Sequence, residues 1–68
     1  MSDVTRAINA LLAAAPGAFA APEVRANWFD QKARVFDLIA ESDPIVADES
    51  REQARKARED AAELRQAG

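Results

Sequence analysis

Alanine is the residue that most limits what this chain can become. Seventeen alanines stand beside only sixteen larger apolar side chains in 68 residues. Alanine is the best helix former and has no side-chain entropy to lose, yet each one buries little area. A chain of this kind is driven towards helix, with a thin core. A domain near this size buries only about 60% of its unfolded surface, and burial set against chain entropy comes out near zero without a staple. No staple is visible, because the sequence has no Cys and no His. That excludes disulfide frameworks, zinc knuckles, haem attachment, thiol or imidazole catalysis and a Ser-His-Asp triad.

Hydrophobic spacing divides the chain into three segments. Val4, Ala7, Ile8, Leu11, Leu12 and Ala15 recur at i, i+3, i+4 and i+7, with Asp3, Arg6, Asn9 and Ala13 on the other side. Ser2 or Asp3 can cap this first helix by accepting from free backbone N–H groups. Pro16 disfavours helical geometry at Ala15, so the helix is expected to end about there, with Gly17 free to turn. After a short connection from Ala18 to Ala21, Pro22 suits the first turn of a second helix and Glu23 favours the positive end of its dipole. That helix is expected to run to about Glu41. Val24, Trp28, Phe29, Val35, Phe36 and Ile39 fall on one arc of it, wide enough to touch two neighbours.

Asp43-Pro44 repeats the cap-then-proline start, and no Gly or Pro follows before about Gln66, so a long third helix is expected. Its inward positions alternate by three and four: Ala47, Ser50, Ala54, Ala57, Ala61 and Leu64. Beyond Ile45 and Val46, this helix depends on propensity and on pairs such as Glu52 with Lys56. Short connections imply antiparallel neighbours. The expected architecture is therefore an all-α, three-helix up-down-up bundle with a long C-terminal helix, a single domain over residues 1–68. The alternative is a hairpin of the second and third helices that completes its core by dimerising.

Nine basic against twelve acidic residues leave a net charge of -3, which argues against a general footprint for nucleic acid or anionic membrane. The Ala-rich run from Ala7 to Ala21 is interrupted by Asn9, Pro16 and Gly17 and is too weakly hydrophobic to span a bilayer. Arg6, the alanine stretch and Ala18-Phe19-Ala20 imitate a secretory leader with its cleavage site. Asp3 in the would-be basic region and the helical spacing speak against that, so a cytoplasmic location is expected.

Charges sort on the helical wheel. Glu23, Asp30, Asp37 and Glu41 form a ridge opposite the apolar arc of the second helix, ordinarily a solvated face. Arg51, Arg55, Arg58 and Arg65 border the alanine seam of the third, where arginine stems commonly cover the edge of a core. The functional reading is that this stripe docks on an acidic partner or on phosphates. Because the acidic ridge points away from its own core, ridge and stripe are not expected to meet within one chain, but could meet between chains of a homodimer. Lys32 falls in the middle of the apolar arc, where an unpaired buried ammonium would be expensive. It is expected to emerge in a groove over an aromatic face, with recognition of a carboxylate or phosphate as the alternative. Trp28 is expected as a core anchor. Phe19 either plugs the end of the bundle or stands exposed as a partner contact.

Asp37 with Glu41, and Asp48 with Glu52, lie one turn apart, which is ordinary on exposed helices. No metal site and no cofactor are expected, and Gly17 and Gly68 cannot build a phosphate loop. A helix-turn-helix would need a recognition helix offering basic or amide side chains to base edges, whereas the second helix offers acids.

Trp28-Phe29-x-x-Lys32-Ala33, then Leu38-Ile39-Ala40, then an Ala/Arg/Glu helix ending Leu64-Arg65, resembles a pattern in small helical proteins of high-GC bacteria. The resemblance implies a cytoplasmic bacterial protein and supplies no activity, ligand or catalytic residue. The expected function is a non-enzymatic interaction or regulatory module that binds a protein partner or itself, with Phe19, Lys32, Arg51, Arg55, Arg58 and Arg65 as candidate contacts. The alternative is a nucleic-acid-associated regulator using the arginine stripe.

Overall fold

In a computed structural model, residues 2–67 are described, and they form three helices: α1 (Asp3–Ala13), α2 (Pro22–Ser42) and α3 (Ala47–Ala67). Ser2 caps α1, its Oγ accepting from the Thr5 backbone N–H at 3.1 Å. The helix stops two residues before Ala15, the expected limit: Ala14 already opens to φ -95°, ψ 4°. The chain unwinds one residue ahead of the position that Pro16 restricts. In α2, Pro22 occupies the first turn as expected, and the helix runs one residue past Glu41.

The start of α3 is a correction. Asp43 and Pro44 do not open it. The Asp43 carboxylate accepts from the Ile45 backbone N–H at 3.0 Å, closing a local turn of the kind this side chain favours. Pro44 to Val46 complete that turn before the helix begins at Ala47. Ile45 is consequently exposed and adds nothing to the core, while Val46 is half-buried.

Antiparallel packing of α2 on α3 runs along small residues. Ala26, Ala33 and Ala40, seven apart on α2, are buried, as are Ala47, Ser50, Ala54, Ala57 and Ala61 on α3. The seam expected on α3 is thus present, with Leu64 half-buried at its end. Phe29 and Phe36 close the edge of the Ala33, Ala54 and Ala57 cluster.

Helix α1 lies against the other flank of α2. Leu11 is buried there, and the Trp28 indole N–H donates to the Leu11 carbonyl at 2.9 Å. Among the described residues no Cα of α1 comes within 8 Å of one in α3. The three helices therefore lie side by side with α2 in the middle, and the molecule measures 36 × 23 × 12 Å. Its radius of gyration is 12.4 Å, against about 11 Å for a compact domain of this length. The bundle is opened flat into a slab. No described helix is long and apolar enough to cross a membrane.

Candidate interaction face

The flatness of the slab decides what α2 exposes. At 100° per residue its contact with α3 centres on Ala33, and its contact with α1 lies roughly 140–160° away, near Trp28 and Val35. Between them, on one face, Arg25, Lys32 and Ile39 follow one another at seven-residue intervals. Phe29 and Phe36 border this row on the α3 side and Trp28 on the α1 side. All six are half-buried, enclosed by neighbours at the sides and open above.

Lys32 sits where the apolar arc predicts. Its Nζ lies 5.9 Å from the Trp28 ring centroid and 5.7 Å from that of Phe29. The two rings meet edge to face, with centroids 5.3 Å apart at 78°. The ammonium is held by aromatic faces, and no described carboxylate lies within 4.0 Å. Arg25 likewise has no described carboxylate within that distance. Arg25 and Phe29 form the wall shared by two grooves. One, of about 420 Å³, is completed by Asp60, Glu63, Leu64 and Ala67 of α3. The other, of about 210 Å³, reaches Trp28 and the connection from Ala15 to Ala18. Phe19 projects from that same connection and is fully exposed, so it does not plug the end of the bundle.

The arginine stripe is arranged differently from expectation. Arg58 pairs with Asp37, and Arg65 reaches Asp30 at 2.7 Å, Asn27 at 2.8 Å and Glu23 at 3.3 Å. Ridge and stripe therefore do meet within one chain, across the α2/α3 seam. The acidic ridge stands only about 60° round α2 from the Ala33 line, close enough for a long guanidinium stem to bridge. Arg51 pairs with Asp48 at 3.3 Å, and Arg55 with Glu52 and, at 2.8 Å, Glu59, all along α3. The hydrogen bond from Arg55 holds the Glu52 carboxyl below its ordinary value, helped by the charges of Arg55 and Lys56. That bond, with the charges of Glu52 and Glu59, raises Arg55; hydrogen bonds to Asp30 and Glu23 raise Arg65. These groups are exposed, so the pairs fix side-chain direction more than they stabilise the fold.

Of the six candidate contacts, the four arginines are thus already held by carboxylates of the same chain, while Lys32 and Phe19 are not. The carboxylates considered as pairs are divided too: Asp37 goes to Arg58, Asp48 to Arg51 and Glu52 to Arg55. Among the described residues no group of three or more potential ligands converges for a metal ion. Sequence reasoning missed Arg25, although its seven-residue offset from Lys32 places both on one line. It also missed the Ala26, Ala33 and Ala40 row that carries the contact with α3. Comparison with protein-family models, with curated proteins and with solved structures finds no match to this chain.

Proposed function

We propose that this chain is a non-enzymatic interaction module of the bacterial cytoplasm, docking a protein partner or a second copy of itself through the open face of α2. The observation that carries the reading is the placement of α1 and α3 on opposite flanks of α2. It leaves a row of cations set among aromatic rings with cover at the sides only. Aromatic and arginine side chains gathered in a shallow depression are what protein interfaces concentrate at their centres. A nucleic-acid role for the arginine stripe loses support from the same geometry, because each guanidinium already faces a carboxylate of its own chain.

The reading is tested by photo-crosslinking in cells, with benzoylphenylalanine in place of Ile39 on the open face or of Arg34 on the opposite one. Discrete adducts from position 39 and none from position 34 support it. Equal labelling from both positions, or none from either, overturns it.

A further inference from the structure

We infer that the open face of α2 is covered by a second copy of this chain, stacked face to face about a two-fold axis parallel to α2 and α3 above the seam between them. The inference rests on the interaction-module reading and supplies its partner. Three observations carry it.

The first is area. The slab presents a face of 36 × 23 Å, and an axis over the α2/α3 seam overlaps about two-thirds of it, roughly 550 Å² on each copy, which together clears the total of about 1,000 Å² that a specific interface needs.

The second is charge. On this face the α2 side of the seam carries Arg25 and Lys32, with no described carboxylate within 4.0 Å. The α3 side carries Asp60 and Glu63, with no described cation within that distance. Arg25, Asp60 and Glu63 line one groove, so they stand at the same level along the helices. A two-fold axis parallel to the helices preserves level and exchanges α2 of one copy for α3 of the other. It brings Arg25 over the partner's Asp60 and Glu63, and symmetry makes the contact twice. A parallel two-fold placed above α2 itself would instead stack Arg25 on Arg25 and Lys32 on Lys32. The Arg25 contact therefore favours a second copy in this orientation.

The third is the position of the rings. Phe29 and Phe36 flank the seam over the Ala33, Ala54 and Ala57 cluster. In the stacked pair the rings of both copies gather along the axis, adding the apolar cover that alanine alone does not provide.

The test is sedimentation equilibrium on the full chain from micromolar to millimolar concentration, with helix content checked by circular dichroism. A reversible monomer–dimer equilibrium is expected. Arg25→Glu and Glu63→Lys, made separately, should each weaken it about tenfold or more. An equimolar mixture of the two variants should recover a heterodimer, because opposite charges then face each other at both contacts. Arg34→Glu, on the opposite face, should leave the equilibrium unchanged. A wild-type chain that stays monomeric overturns the inference, as does a dimer indifferent to both reversals or one not recovered by mixing. If the chain is monomeric while crosslinks from position 39 reach a different protein, the interaction reading stands and the self-pairing falls. If no crosslink forms either, both fall.

Discussion

At the scale of single residues, two groups can be tested directly. The Trp28 indole donates to the Leu11 carbonyl, which also accepts from the Ala14 backbone N–H at 3.2 Å, so removing the indole does not orphan the acceptor. Trp28→Phe should therefore destabilise by only about 1 kcal/mol, read as a shift in urea midpoint. The second group is Glu52, whose folded-state carboxyl is held below 4.5 by Arg55. A depressed carboxylate contributes stability above its unfolded value and loses it as pH falls through the folded one. Because Glu52 is exposed, that contribution is small, and the titration of the group itself is the quantity to follow. Arg55→Met should move the Glu52 titration, followed by carboxyl carbon NMR shifts, upwards towards its ordinary value. The Lys32 geometry was readable in advance, because a lone cation inside an aromatic arc has few other places to go. Arg25 was not, since it lies at the edge of the arc and reads as ordinary surface until the flanks of α2 are known.

The elements were legible to within a residue or two where proline or serine punctuates the chain, and less so where Asp43 had two uses. An aspartate ahead of a proline can cap a helix or close a turn onto the next N–H, and spacing alone does not distinguish them. The alanine seam of α3 was readable because its three-four alternation stands out against charged neighbours. Its counterpart on α2 was masked by the large apolar residues beside it, which draw attention as the core and in fact border it. The packing predicts an asymmetry that size alone would not: Ala33, 0% exposed, lies where the two backbones approach. Ala33→Leu should cost about 1–3 kcal/mol through overpacking, whereas Ala62→Leu at an exposed position of α3 should change stability little, both read from urea midpoints.

For the molecule as a whole, three helices and their order were legible from spacing, but the opening of the bundle into a slab was not. That outcome depends on α3 presenting charge rather than apolar surface to a third helix, so α1 has only α2 to rest on. Attached through one flank, α1 should open independently of the rest. Native-state hydrogen exchange should show its amides exchanging faster than those facing the α2/α3 seam, and with weaker denaturant dependence. The alanine seam has a consequence for heat as well. Hydration of newly wetted hydrocarbon is what gives unfolding its heat capacity, and a seam made of methyl groups has little hydrocarbon to wet. Calorimetry should accordingly find a value below the roughly 0.8–1.0 kcal/mol/K usual for a chain this long. The melting curve should be broad and its stability nearly level with temperature, so cold will threaten this fold far less than its marginal size suggests.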